Sequence, residues 1–200
     1  MGTTTTDFRF EYRDLTEALY DALVDDAFYT TLQKHTTGKE AMLRYLEYSM
    51  IEAREYGELF IPEEHRHGVS LWLKPQSAER EKEKKRAKRQ FMLDQLGEAA
   101  EHCYQRIVQS MSERSDSVVE DHYWYLSIIG ILPEHQGKGF GPGLVEAVLA
   151  QTDRLGVPTY LETFTPRNHS FYQRLGYEVA GTFDEPVTGG TYAVMSRLPK

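Results

Sequence analysis

The sequence predicts an α/β fold: a mixed, mostly antiparallel sheet flanked by helices, with one parallel strand pair. Three observations predict it. An apolar run, "WYLSIIGIL" (Trp124 to Leu132), passes through the glycine turn "PEHQGKGFGPG" into the amphipathic stretch "LVEAVLAQTDRLG" and then a second run, "PTYLET". Strand, helix and strand over so short a span imply a right-handed crossover and a parallel pair. Two further alternating runs, "YEVAGTFD" and "TYAVMSRL", flank "TGG" and read as a closing hairpin. The N-terminal half carries helical stripes around two short strands.

Taken in order, "FRFEY" (Phe8 to Tyr12) alternates and predicts a first strand. Leu15, Ala18, Leu19, Ala22 and Leu23 then recur at helical spacing, as do Met42, Leu46, Met50 and Ala53, the second stripe ending near Gly57. "ELFIP" and "GVSLWLKP" read as strands either side of "EEHRH", stopped by Pro62 and Pro75. Met92, Leu96, Ala100, Cys103, Ile107 and Met111 predict one long helix, its first turns carrying "EREKEKKRAKR" (Glu79 to Arg89). That run reads as a solvated face laced with opposite charges rather than a nuclear signal or RNA patch. Ser112 to Asp121 is a loop, and "HSFYQRLG" (His169 to Gly176) a short helix. No repeat or Pro/Gly-rich linker divides the chain, so one domain over residues 1–200 is expected.

Composition excludes several classes. Apolar residues make up 40% and charged residues 27%, as in soluble globular proteins. A net charge of −8 disfavours nucleic acid as a partner. The one cysteine, Cys103, excludes an internal disulfide framework and sits where a core residue belongs. No run has the length of a membrane span and no signal-peptide pattern opens the chain, so the cytosol is expected. "MGTTTTD" matches a short myristoylation pattern, yet reads better as a disordered threonine-rich start.

The glycine turn carries the chemistry. Glycines leave backbone N–H groups unobstructed, and a helix start adds unpaired N–H groups and partial positive charge, which together suit a phosphate. The alternative is a strand-to-helix turn with no ligand. A Walker A loop needs Ser or Thr after its lysine, but Gly139 follows Lys138. A dinucleotide fingerprint wants an acid at the end of the next strand; Glu162 meets that, though the fingerprint belongs to the first unit of a larger sheet.

The residues "Gln136-Gly137-Lys138-Gly139-Phe140-Gly141", preceded by Pro133 and Glu134, resemble the Q/R-x-x-G-x-G/A motif of the GNAT superfamily of N-acetyltransferases. "LETFTPRNHSFYQRLGYEV" resembles the family's later motif, with Asn168 and Tyr172 in place. Within the superfamily the likeness is to puromycin N-acetyltransferase-like proteins; it covers His122 to Lys200 and thins out before that. The resemblance implies acetyl-CoA as co-substrate and no metal. It implies that Ile129, Gly130 and Ile131 splay from the neighbouring strand and offer their backbone to the pantetheine arm. N–H groups from Gly137 to Gly141 would hold the diphosphate, with Gln136, Lys138 and Phe140 in the same turn. Pro142 departs from the pattern by removing a donor, at a first helical turn where that N–H is spare. Asn168 is implied against the coenzyme; as a residue alone it reads equally as a helix N-cap.

An amine must lose its proton to attack the thioester, and the departing sulfur gains from a proton donor. The family's acid falls on Tyr172, whose other reading is aromatic packing. For the base, Glu162 lies in a strand expected to be buried, and His122 opens the central strand with a near-neutral ordinary pKa. Their other readings are a site-shaping hydrogen bond and a histidine in water. Trp72, Tyr123, Trp124 and Tyr125 are candidates for an acceptor pocket or for the core. The expected function is transfer of acetyl from acetyl-CoA to a primary amine of a small molecule by direct attack. A protein or peptide acetyltransferase docking through the long charged helix, and a non-catalytic CoA-binding sensor or scaffold, stay open.

Overall fold

The computed structural model describes residues 8–63 and 66–200. Six strands form one sheet in the order β1-β2-β3-β4-β6-β5. They are β1 (Gly57–Phe60), β2 (Gly68–Leu73), β3 (Trp124–Ile131), β4 (Thr159–Thr163), β5 (Glu178–Glu185) and β6 (Gly190–Arg197). Neighbours are antiparallel except β3 and β4. The helices are α1 (Arg13–Ala22), α2 (Ala27–Gln33), α3 (Lys39–Tyr56), α4 (Ala78–Gln95), α5 (Glu98–Ser115), α6 (Glu146–Leu155) and α7 (His169–Arg174). The fold class is the one the sequence predicts.

Two cores lie on opposite faces. Leu15 and Leu19 of α1, Met42, Leu46 and Met50 of α3, and Met92 of α4 pack on Val69, Leu71 and Ile128. Val148 and Leu149 of α6 and Tyr172 of α7 pack with Trp72, Trp124, Leu126, Leu161, Ala193 and Met195. The alternation of β6 sends Tyr192 and Val194 the other way, onto Cys103, Ile107 and Met111 of α5. Cys103 is therefore a core residue, as expected.

A β-bulge controls which β3 residues face which core. Leu71 opposes Ile128 while Trp72 opposes Leu126, so Ser127 is the extra residue. Its hydroxyl donates to the Leu71 carbonyl at 3.2 Å. Before the bulge Trp124 and Leu126 face α6; after it Ile128 faces α1 and α3. Gly130 then lies under α1, where a Cβ would stand 2.1 Å from Cδ2 of Leu19.

Several elements differ from the sequence reading. Residues 8–12 form no strand, because their polar backbone finds a side chain rather than a ladder. The N–H of Glu11 donates to the Glu47 carboxylate at 2.7 Å, joined by that of Tyr12, while Phe8 and Phe10 pack on each other and Phe8 leans on Phe91. The expected long helix is two helices. Gly97, with φ of 94°, ends α4, and its N–H and that of Leu96 both return to the Met92 carbonyl. The stripe is continuous only because both helices bury the same side. α5 runs to Ser115, shortening the expected loop. The helix after the glycine turn starts at Glu146, behind a 3₁₀ turn at Pro142–Leu144. α2 was not foreseen; it is one short element capped by Asp26, whose carboxylate accepts from Phe28 N–H at 2.9 Å. The "MGTTTTD" segment lies outside the described residues.

The closing strand is tied to α6 by a buried ion pair. Arg197 donates to both oxygens of Asp153, at 2.7 and 2.8 Å, and the Lys200 N–H adds a bond at 2.9 Å. Arg197 is 4% exposed. Removing one partner of a buried pair strands the other charge, so Asp153→Ala should cost about 3 kcal/mol in urea denaturation. The Arg197 hydrogen bonds hold the Asp153 carboxyl below its ordinary range. Its stabilisation is thus present above the unfolded-state pKa and is lost as pH falls through the lower folded-state value.

Candidate active site

The sheet parts at its centre. β3 and β4 pair only at Trp124↔Thr159, Tyr125↔Tyr160 and Leu126↔Leu161. β3 continues along β2 to Ile131↔Gly68, and β4 along β6 to Thr163↔Ala193. From Ser127 onward, one edge of β3 has no strand beside it among the described residues. Leu132 N–H donates to the His67 carbonyl at 2.9 Å, so alternate residues, Gly130 and Ile128, also turn to β2. Ile129 and Ile131 therefore turn their N–H and C=O groups to the gap. The Ile131 carbonyl is reached by Gln136 Nε2 at 3.1 Å. Of the three residues singled out from sequence, Ile129 and Ile131 border the gap with backbone, while Gly130 seats α1.

The glycine turn continues from that edge. A 3₁₀ turn at Pro133–His135 leads into Gly137 and Gly139, with φ of 71° and 83°. A Cβ on either would meet no atom within 4 Å, so both face open space in a backbone shape side chains disfavour. Gly141 is helical in φ, and a Cβ there would stand 2.7 Å from Phe171. Pro142 opens the next turn, where its missing N–H costs little. Gln136 and Lys138 are exposed. An unobstructed run of N–H groups at a helix start, joined to an unpaired strand edge, fits a long amide-bearing coenzyme with a diphosphate. Asn168 ends the 3₁₀ turn before α7, and its side chain makes no capping bond.

Glu162 and Tyr172 flank the same region. Glu162 sits one residue beyond the last β3–β4 pair. Ser115, at the end of α5, donates to one carboxylate oxygen, and Tyr125 Oη to the other at 2.8 Å. Burial pushes the carboxyl above its ordinary pKa; the Ser115 and Tyr125 bonds pull it back part of the way, and the Asp116 charge pushes it up. Tyr172 is 6% exposed and packs in the cluster that includes Ile129 and Ile131. Its hydroxyl has no hydrogen-bond partner among the described residues. Burial foremost, then Tyr177 and Asp26, raise its pKa, so the phenol keeps its proton at neutral pH.

An aromatic wall connects these groups. The Tyr125 and Tyr160 rings stack at 4.7 Å. Phe28 meets Tyr29 at 5.1 Å and Tyr104 at 6.2 Å, and Tyr29 meets Tyr45 at 6.3 Å. Asp26, which caps α2, bears on Tyr172 electrostatically, Tyr172 on Tyr29, and Tyr29 on Tyr125. Trp72 and Trp124 are core residues under α6, and Tyr123 meets His122 edge-on at 5.0 Å before β3, leaving Tyr125 as the sequence candidate that reaches this wall. His122 is exposed before β3, 3.5 Å from the Glu120 carboxylate, at the paired end of the strand and away from the gap. The sequence reading missed Ser115, Tyr29 and Asp26. Asp26 had a signal, an N-cap residue before an apolar stretch; Ser115 had none, lying 47 positions from Glu162.

A sheet parted beside an open glycine turn, with a tyrosine and a carboxylate near the opening, is an arrangement suited to acyl transfer. The profile of the Acetyltransferase (GNAT) family matches residues 52–177. The chain belongs to the GNAT family and is an N-acetyltransferase. An uncharacterised N-acetyltransferase of Schizosaccharomyces pombe is 26% identical over 178 residues, 84% of this chain and 70% of that one. A Corynebacterium glutamicum protein described as histone acetyltransferase HPA2 and related acetyltransferase shares the fold at a TM-score of 0.67 and 17% identity, over 100% of this chain and 94% of that one. Arylalkylamine N-acetyltransferase 2 of Aedes aegypti does so at 0.61 and 13%, over 96% and 98%. Among the described residues no helix is long and apolar enough to cross a membrane.

Proposed function

We propose that this chain transfers acetyl from acetyl-CoA to the primary amine of a small, cationic, partly aromatic molecule. The observation that carries the reading is the unpaired β3 edge running directly into the glycine turn, with Glu162 and Tyr172 at its opening. Ile129 and Ile131 bind the pantetheine arm through backbone groups, and the N–H groups of Gly137 to Gly141 hold the diphosphate. Asn168, whose side chain makes no capping bond, is assigned to the coenzyme in this reading. When bound, acetyl-CoA supplies an activated acetyl thioester.

The protein's own residues manage two protons. An amine of pKa about 10.4 needs roughly 4–5 kcal/mol to be neutral at pH 7, and an α-amino group near pKa 7.7–8.0 only about 1. Glu162 accepts that proton, directly or through water. Tyr172 Oη gives its proton to the departing sulfur, and a gap-facing N–H of Ile129 or Ile131 meets the charge that develops on the acetyl oxygen. Retention of a carboxylate at Glu162 and a phenol at Tyr172 supports this reading over a non-catalytic coenzyme sensor. The tyrosine wall, with Glu162 and Asp26, suits a cationic aromatic amine better than a peptide backbone. The arylalkylamine transferase of like fold fits this acceptor class.

Two expected results test the reading. Acetyl-CoA at a hundredfold excess over its Kd should stabilise the fold by about 2.7 kcal/mol. Gly139→Glu should remove that shift, because a charged side chain enters the open space beside Gly139; a full thermal shift in the variant would place the coenzyme elsewhere. In a CoA-release assay, aminoacyl-type small amines should turn over faster than lysine in histone-like peptides, and the reverse order would overturn the acceptor assignment.

A further inference from the structure

Phe140 is the one aromatic side chain between Gly137 and Gly143, and glycines flank it on both sides. Although 39% exposed, it does not hang free. Its ring lies over the His67 imidazole, centroids 4.8 Å apart and planes inclined by 35°. His135, from the 3₁₀ turn that opens the loop, meets Phe140 edge-on at 5.7 Å and His67 at 6.1 Å. The three rings form one small stack across the mouth of β2 and β3.

The two sides of this stack differ in stiffness. His67 immediately precedes β2, and its carbonyl accepts the Leu132 N–H at 2.9 Å, extending the β2–β3 ladder by one bond. Phe140 belongs to a turn whose glycines have a wide choice of backbone shapes. His67 is also 91% buried, and neither of its ring nitrogens has a hydrogen-bond partner among the described residues. A buried polar group without a partner is costly and calls for a reason. Since no hydrogen bond orients this imidazole among the described residues, it acts through its ring faces, and the face it offers is occupied by Phe140.

We infer that His67 is a positioning residue for the coenzyme: it is the seat on which Phe140 holds the glycine turn in its phosphate-binding shape. The inference rests on the proposed coenzyme role of that turn. Without the seat, Gly137 to Gly141 sample other conformations and must be ordered at each binding event. Fixing a residue's backbone costs about a factor of ten in binding. The effect falls on coenzyme affinity, since the turn adds little to the core.

Calorimetric titration with CoA, which binds without turnover, tests this on the full chain. His67→Ala and Phe140→Ala should each weaken binding about tenfold, and the double variant should be no weaker than Phe140→Ala alone, because both remove one contact. His67→Phe keeps a flat seat and sheds the unpaired nitrogens. It should bind within about threefold of wild type and melt at an equal or higher temperature. Additive losses, an unchanged Kd in His67→Ala, or a His67→Phe variant as weak as His67→Ala would each overturn the inference. Failure of the wild type itself to bind CoA would overturn the coenzyme role of the turn along with it, so the two failures are told apart.

Discussion

Tyr172→Phe is expected to lower turnover by about 10²–10⁴, the usual worth of a positioned acid. The substitution keeps the ring that packs on Phe171 at 5.1 Å and Tyr177 at 6.1 Å, and therefore keeps α7 on the sheet. What it removes is a hydroxyl that spends its hydrogen bond on no described residue. Burial disfavours the phenolate, so the phenol keeps its proton at neutral pH; the same burial disfavours a free thiolate, so the departing sulfur gains from that proton as its bond breaks. Charge appears on that sulfur only late, so the loss should show in kcat and kcat/KM alike while CoA affinity stays put. Single-turnover rates isolate the chemical step from product release. Wild-type single-turnover rates in the variant would return Tyr172 to a packing role. Unchanged melting temperature is part of the expectation, since removing an unpaired hydroxyl leaves no partner stranded.

The C-terminal half was legible because its signals are local. Turn glycines, an alternating run and the motif residues around Asn168 and Tyr172 lie within a few positions of one another, so strand, turn and helix could be placed from spacing. The parting of β3 from β4 was legible only through resemblance. Physically it depends on the bulge at Ser127 and on β4 leaving β3 after Leu161, and neither has a signature in one strand's sequence. The N-terminal half misled where tertiary partners replaced local rules. Phe8 to Tyr12 alternates like a strand, but the Glu47 carboxylate takes the N–H groups of Glu11 and Tyr12 that a ladder would need. The joint between α4 and α5 was hidden by a stripe that crosses it, although Gly97 marked the break. The setting of Glu162 was the least legible part, since Ser115 and Tyr125 come from elements far away in sequence.

Those two partners give the second large expectation. Glu162→Gln should lower kcat/KM for a small amine by about 10²–10³, within the range of a lost general base. Glutamine has the same shape and can still accept from Ser115, while the Tyr125 hydroxyl can turn to accept from the new amide. Packing is thus kept and only proton affinity and charge are lost. The pH profile separates this role from a merely structural one. Burial raises the Glu162 pKa, so in the wild type the base form fills in above the ordinary carboxylate range, and kcat/KM should rise with pH through that raised value before the amine's own ionisation takes over. In Glu162→Gln the lower limb should vanish and the amine's limb remain. Tyr125→Phe removes a bond that favours the charged carboxylate, so it should move the lower limb to higher pH without abolishing it. Ser115→Ala should move it the same way. The loss should also be larger for lysine-like amines than for α-amino acceptors, whose proton is already easily shed. A Gln variant that keeps both the rate and the lower limb would remove Glu162 from proton transfer and leave the base to water.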